Sequence, residues 1–243
     1  MPGFTAFISD LHLSAERPAA NAAFFAFLRE VAGHADALYI LGDLFEYWAG
    51  DDDLADPFNA RVAAALHALA ARVPLFILHG NRAFLLMAPF AQASGARMLP
   101  DPARVDLYGV PTLLMHGDLL CTQDRRYQVF RTVVRNRLVR ALFMHVPLER
   151  RKRVIGGARR FSEGEKQAKQ MSIMDVTPDA VERVLRESGC SRLIHGHTHR
   201  PARHEHEVDG SRRERWVLSD WYRRGEYLRC TPAGCEAVPV PFG

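Results

Sequence analysis

FTAFISDLHL, residues 4–13, is the stretch on which the fold turns. Phe4–Ile8 is a short apolar, β-rich run, and it stops at Ser9-Asp10-Leu11-His12. Runs of this length bounded by polar residues or glycine read as buried strands. The arrangement recurs along the chain. Ala37–Leu41 stops at Gly42-Asp43, Leu75–Leu78 at His79-Gly80-Asn81-Arg82, and Thr112–Met115 at His116-Gly117-Asp118. Last comes Arg192–Ile194, before His195-Gly196-His197-Thr198-His199. Helical patterns lie between them. Asn21–Ala32 and Pro57–Ala71 carry apolar residues at helical spacing, and Thr177–Ser188 opens on an N-cap threonine with Pro178 behind it and ends at Gly189. Strand followed by helix, repeated, predicts an α/β or mixed layered sheet. In such sheets ligands collect beyond the carboxyl ends of the strands, where all five polar clusters fall. Further on, Asp209-Gly210 reads as a hairpin turn that leads into short strands through Pro241.

The chain has 243 residues, 48% hydrophobic and 25% charged, which suits a globular enzyme with a sizeable core and excludes a disordered or fibrous class. We read it as a single domain over 1–243. The N-terminus lacks the basic flank and apolar block of a signal peptide, and no apolar run approaches the roughly 18 residues of a spanning helix. Cys121, Cys190, Cys230 and Cys235 form no CxxC framework, so reduced thiols in a cytoplasmic protein are expected. The net charge of +4 conceals an asymmetry: Cys121–Gln170 holds fourteen Lys/Arg against four Asp/Glu, a net of +10, leaving −6 for the remainder. This basic segment, about 122–172, interrupts the strand–helix alternation with continuous helix-like sequence. We read it as a helical insertion over the site.

The polar clusters match the needs of two divalent cations held close together, which require a bridging carboxylate and a mixed shell of imidazole and oxygen ligands. Asp10 and His12, one residue apart, can approach one metal as the strand opens into a loop. Asp43, behind a glycine that permits close backbone approach, is the natural bridge. Asn81 offers an amide oxygen, and His116, His197 and His199 offer imidazoles. Each element alone is weak, since a Gly-Asp pair is usually a turn and a buried histidine usually a core residue. Five clusters in order, each immediately after a strand, are a metal site. His195, beside the last pair, reads either as a donor behind the ligands or as a structural residue.

The ordered set DxH, GDxxE, GN, GH, GHxH resembles the calcineurin-like metallophosphoesterase superfamily. That resemblance implies an α+β fold, a four-layer αββα sandwich with a helical lid insertion. It also implies one cation on Asp10, His12, Asp43 and His199 and a second on Asp43, Asn81, His116 and His197, with a water activated between them as nucleophile. Within the superfamily, SDLHL (9–13), YILGDLFE (39–46), HGNR (79–82), MHGD (115–118), SIMDV (172–176) and HGHTHRP (195–201) resemble the UDP-2,3-diacylglucosamine hydrolase family of lipid A biosynthesis. The likeness covers nearly the whole chain. It implies hydrolysis of the substrate's pyrophosphate to UMP and 2,3-diacylglucosamine 1-phosphate, with two manganese ions, other divalent transition metals being possible. It also implies a peripheral monomer on the cytoplasmic side of the bacterial inner membrane. Asp43 and His116 then serve catalysis as well as metal binding, and Asn81, Asp124, Ser162, Lys166, Lys169 and His197 fall where the family contacts substrate. Lys166 departs from the asparagine expected there.

Arg82 gives this a physical basis. Many relatives carry histidine after Gly-Asn, where it can protonate an alkoxide leaving group. Arginine cannot do so near neutral pH, but it can pair with the charge developing on a phosphate leaving group. The insertion suits an acylated substrate. Phe130, Val133, Val134, Arg137, Leu138, Arg140, Ala141 and Leu142 alternate apolar and basic positions, either to line an acyl cleft and face anionic headgroups, or as an amphipathic helix packed on the core. The run Arg150-Arg151-Lys152-Arg153 favours headgroups. Interleaved aromatic platforms are missing, so nucleic acid is not an expected partner. One departure matters: Gly80-Asn81-Arg82-Ala83-Phe84 has alanine where the family has aspartate to orient Arg82, so reduced turnover with metal binding intact is expected. The alternatives are a metallophosphoesterase acting on a soluble nucleotide or phosphodiester, and a catalytically impaired metal-dependent binder.

Overall fold

A computed structural model of the chain describes residues 3–168 and 175–242, with the side chains of 159–168 excepted. Two sheets stack face to face. The first has six strands in the order β11-β10-β1-β2-β3-β4, and the second five in the order β5-β6-β7-β9-β8. In the first sheet β1 (Thr5–Ile8), β2 (Ala37–Ile40), β3 (Leu75–Ile77) and β4 (Arg97–Met98) are parallel, while β10 (Gly225–Thr231) and β11 (Gly234–Val240) close one edge as an antiparallel hairpin. In the second, β6 (Val110–Met115), β7 (Arg192–His195) and β9 (Ser211–Val217) are parallel, flanked by β5 (Ala103–Leu107) and β8 (Ala202–Val208).

Alternation along the central strands sorts side chains between two apolar layers. Phe7, Tyr39, Leu41 and Leu78 point into the space between the sheets, meeting Leu114 and Ile194 of the second. Ala6, Ile8, Leu38, Ile40, Leu75 and Ile77 point outward against helices α1 (Pro18–Glu30), α2 (Pro57–Ala70) and α3 (Ala88–Ser94). On the far side, Leu113, Met115 and Leu193 pack against α7 (Pro178–Ser188). Both faces of each sheet's centre are thus buried, which is why the strands read as continuous apolar runs. The layering is the predicted αββα sandwich, and the five expected strands fall within two residues of their predicted bounds. Asp209-Gly210 makes the predicted hairpin turn, both residues left-handed at φ 52° and 72°.

Between β6 and α7 the chain leaves the sheets for three helices, α4 (Arg125–Arg135), α5 (Arg137–Met144) and α6 (Leu148–Ala168). The continuous helix read from the sequence is broken twice. Asn136 turns extended and its side chain accepts from the backbone N–H of Leu138 and Val139, capping α5. Pro147 separates α5 from α6. The cysteines are a second correction. Cys121 and Cys190 are free and buried, but Cys230 and Cys235 form a disulfide. The two are direct cross-strand partners on the β10–β11 hairpin, with Cα atoms 4.1 Å apart. A spacing of five residues gave no hint of that register. Among the described residues no helix is long and apolar enough to cross a membrane.

Candidate metal centre

The parallel strands β1, β2, β3, β6, β7 and β9 all deliver their carboxyl ends to one side of the sandwich. Backbone hydrogen bonds knit the loops there: Asp10 N–H to Gly42 O at 3.2 Å, His12 N–H to Asp43 O at 3.0 Å, Gly196 N–H to His116 O at 2.9 Å and Trp221 N–H to Asp10 O at 3.0 Å. Two glycines are required by this approach. A Cβ on Gly80 would overlap the Asp43 carboxylate, and one on Gly196 would overlap Ser9 Oγ and Asp10 Oδ2.

The structure brings all seven expected residues into this cleft. Five of them, Asp10, His12, Asp43, His197 and His199, have positive φ between 50° and 70°. Left-handed backbone is uncommon outside glycine and costs energy, so it persists only where the surroundings over-determine it, typically at functional sites. Here it turns side chains inward immediately after a strand. Ligand-type atoms of Asp10, His12 and His199 lie within 4.8 Å of one another, as do those of Asp10, Asp43 and His116. These are two clusters sharing Asp10. Asn81 and His197 complete the second side: Asn81 Oδ1 is 3.1 Å from His116 Nε2, and the His116 and His197 rings are 5.0 Å apart.

The donor set fits cations. Asp10, His12, Asp43 and His116 are buried, yet Asp10 Oδ1 and both ring nitrogens of His12 have no hydrogen-bond partner. Buried polar atoms are normally satisfied, and these are aimed into the cleft. Other atoms of the same residues are held from behind. Ser9 Oγ and His197 N–H donate to Asp10 Oδ2 at 2.6 and 2.8 Å, Arg82 N–H donates to Asp43 Oδ1 at 2.8 Å, and His116 Nδ1 bonds Leu41 O at 2.9 Å. Such bonds fix the orientation of ligating groups.

Electrostatics divide the carboxylates. Burial pushes Asp10 up, but His199, His116 and His12 together hold it far below the usual carboxylate range. Burial raises Asp43, only partly offset by His116 and Arg82. His12 is lowered, chiefly by burial. His116 is raised: burial opposes its charge, but Asp43, Asp10 and Asp118 outweigh burial. His195 is fully buried and falls to about 3 through burial and the neighbouring Arg215. Arg215 lies 3.2 Å from His195 Nε2, and arginine only donates, so the ring proton sits on Nδ1, which donates to Gly196 O at 2.9 Å. His195 is therefore a neutral brace behind the last loop, resolving the two roles its sequence position allowed.

Arg82 lies at the cleft, its guanidinium 3.6 Å from Glu46. Asp124 caps α4, accepting from Tyr127 N–H at 3.2 Å. Ser162 and Lys166 lie on α6 where side chains are outside the described residues, and Lys169 is outside them altogether. Several residues escaped the sequence reading. Tyr127 donates to Asp118 Oδ2 at 2.7 Å and its ring lies 6.0 Å from His197. Tyr222 stacks on His12 at 4.9 Å, and Asp220 stands 3.8 Å from His199. Glu46 was inside a quoted motif, but Tyr222 and Asp220 follow β9, whose end carries no metal-type signature.

The basic insertion needs correcting in detail. Arg151 is buried, bonded to Ala49 O and Asp52, and Lys152 pairs with Asp53 at 2.7 Å. Arg131 bonds Asp118 at 2.7 Å and Asp101 at 3.2 Å, and Arg135 also reaches Asp101 at 3.2 Å. These cations fasten the insertion to the sandwich. Arg125, Arg126, Arg137, Arg150 and Arg153 remain exposed. Val129, Phe130, Val133, Leu138 and Leu142 are exposed beside them, Leu138 and Leu142 by more than 70%.

A sequence model described as calcineurin-like phosphoesterase matches residues 5–201. A protein of Aromatoleum aromaticum named UDP-2,3-diacylglucosamine hydrolase is 55% identical over 98% of this chain and 96% of its own length. Proteins of that name from Aeromonas hydrophila and Serratia proteamaculans are 49% and 47% identical, over 94% and 98% of this chain and 95% and 99% of theirs. With its strand-end cluster of aspartates and histidines, the chain belongs to the UDP-2,3-diacylglucosamine hydrolase family of calcineurin-like phosphoesterases.

Proposed function

We propose that this chain is a metal-dependent hydrolase that cleaves the pyrophosphate of UDP-2,3-diacylglucosamine to UMP and 2,3-diacylglucosamine 1-phosphate, a step of lipid A biosynthesis. The observation that carries this reading is the paired Asp/His cluster in a chain 55% identical, end to end, to a hydrolase named for that substrate. Asp10, His12, Asp43 and His199 would hold one cation and Asp43, Asn81, His116 and His197 the other, with Asp10 close to both groups. The mixture of carboxylate, amide oxygen and imidazole admits manganese among the divalent transition metals, and the family likeness selects it. Bound cations supply Lewis acidity and a nucleophile at neutral pH.

The protein's own groups do the rest. Arg82, steadied by Glu46, pairs with the charge that grows on the departing phosphate, so no proton donor is needed there. Asn81 and His197, with Asp124, Ser162, Lys166 and Lys169, contact the substrate, Lys169 at its pyrophosphate. The exposed apolar side chains of α4 and α5, rimmed by Arg125, Arg126, Arg137, Arg150 and Arg153, meet the acyl chains and an anionic membrane surface. This fits a peripheral protein on the cytoplasmic side of the bacterial inner membrane.

The test is hydrolysis of UDP-2,3-diacylglucosamine in detergent with manganese or EDTA. Manganese-dependent release of UMP and the lipid phosphate is expected. No release from metal-loaded protein would overturn the substrate and point to soluble phosphodiesters.

A further inference from the structure

The two ends of the metal-type cluster open onto different surroundings. At the His116–His197 end stands α4, with Tyr127 beside His197 and Arg131 and Arg135 tied to Asp101 and Asp118. Beyond lie the exposed apolar residues of α4 and α5. At the opposite end, past His12 and His199, is a cavity of about 340 Å³ lined by His199, Pro201, Ser219, Asp220, Tyr222, Arg223 and Arg224. That volume is at the low end of the roughly 300–1,000 Å³ of small-molecule sites. Arg223 and Arg224 make the rim cationic, and Pro201 is the one aliphatic residue of the lining, too small a surface to bed two acyl chains.

Part of this wall is already committed. Asp220 Oδ1 accepts from Tyr222 N–H at 2.9 Å, and its other oxygen is 3.8 Å from His199 Nδ1. The Tyr222 ring is stacked on His12 and has the Arg17 guanidinium 4.4 Å from its centroid. Arg223 and Arg224, by contrast, are exposed and make no ion pair with a carboxylate among the described residues. Two uncommitted guanidiniums at the rim of a polar cavity, next to a metal-type centre, suit a ligand with several anionic acceptor oxygens.

We propose that this cavity takes the nucleoside monophosphate half of the substrate, with Arg223 and Arg224 on its phosphate and ribose oxygens, while the insertion takes the acylated sugar phosphate. The assignment rests on the pyrophosphate reading above. A pyrophosphate straddling the centre has one polar and one apolar end, and only this orientation matches both ends to their surroundings. The reverse would put two acyl chains among arginines and a nucleotide on exposed leucines.

The experiment is calorimetric binding of UMP, inorganic phosphate and uridine to the manganese-loaded full chain, its Arg223→Ala/Arg224→Ala variant and the corresponding double lysine variant. Both positions are exposed, and thermal melting checks that folding is unchanged. UMP binding is expected to weaken about 10-fold or more in the alanine variant and to recover in part with lysine. Phosphate alone, held at the metals, should change less than about twofold on the same reasoning. UMP affinity unmoved by the alanines, equal weakening of phosphate and UMP, or no UMP binding by the unmodified chain would each overturn the assignment. Hydrolysis by the unmodified chain is read separately. Turnover with arginine-insensitive UMP binding keeps the proposed function and removes the cavity assignment, and arginine-dependent UMP binding without turnover does the reverse.

Discussion

His116 occupies the most constrained position in the cleft: fully buried, bonded through Nδ1 to Leu41 O, with Nε2 3.7 Å from Asp43 and 3.1 Å from Asn81. His116→Ala should lose one of two bound manganese ions and at least about 100-fold of turnover, read by metal analysis and by UMP release. Two bound ions in the variant would sink that ligand role. Ala83 is a different case. It is fully buried in the apolar layer, beside Arg82, whose guanidinium Glu46 already faces. The next residue, Phe84, accepts from Arg140 at 3.2 Å, and Arg140 Nε is buried without a hydrogen-bond partner. Ala83→Asp should raise turnover by about 10-fold with metal content unchanged, through tighter orientation of groups around the centre. Equal turnover would show that Glu46 alone suffices.

Among the elements, the insertion was the least legible in sequence. Its composition announced helix and positive charge, but not which charges face inward. Arg151 and Arg150 are neighbours of identical chemistry, yet one is buried against Ala49 and Asp52 and the other exposed, a difference decided by acidic partners a hundred residues earlier. The apolar residues left outside carry the membrane reading. Leu138→Ser/Leu142→Ser should cut partition onto anionic vesicles by about 10-fold or more, since a leucine contributes about 1.5–3 kcal/mol when it is fully buried in an apolar phase. Unchanged co-sedimentation would assign the face to something else. The second sheet gives a pH prediction. Glu214 on β9 accepts from Arg192 at 2.5 Å and from Arg203 and Trp216 at 3.1 Å, joining β7, β9 and β8. Burial alone would raise its carboxyl, but Arg192, then Arg203 and Trp216, bring it below the usual glutamate value. A depressed carboxyl contributes stability that is full above its unfolded pKa and is lost as pH falls through the folded one. Glu214→Gln should therefore cost about 1–2 kcal/mol at pH 7. That gap, measured by denaturant unfolding, should close as pH drops below about 4. A gap constant with pH would mean the side chain acts by shape, not charge.

At the scale of the whole molecule, six strand ends meet where neither sheet alone could build a site. Five were legible because each ended in a residue type that metals use. The sixth, after β9, was not, since Tyr222 and Asp220 work by stacking and backing histidines, roles that have no sequence spacing. The left-handed ligands and the shared Asp10 were likewise invisible, because they follow from loops meeting across more than a hundred residues. That convergence also governs stability. Without cations, the ring nitrogens of His12 are buried without a hydrogen bond and Asp10 Oδ1 faces the His199 ring 3.3 Å away, a cost borne in the folded state only. A cation bound by residues from β1, β2, β3, β6 and β7 binds the folded chain and not the unfolded one, so it stabilises in proportion to the logarithm of its concentration. Manganese at about 100 times its dissociation constant should add about 2.7 kcal/mol. For a chain this long, that means roughly 5–10 °C in Tm. EDTA should remove the increment, and His116→Ala should halve it or more. A melting temperature indifferent to manganese and EDTA would mean that the seven residues pack without a metal, and would undo the centre on which every reading of the cleft depends.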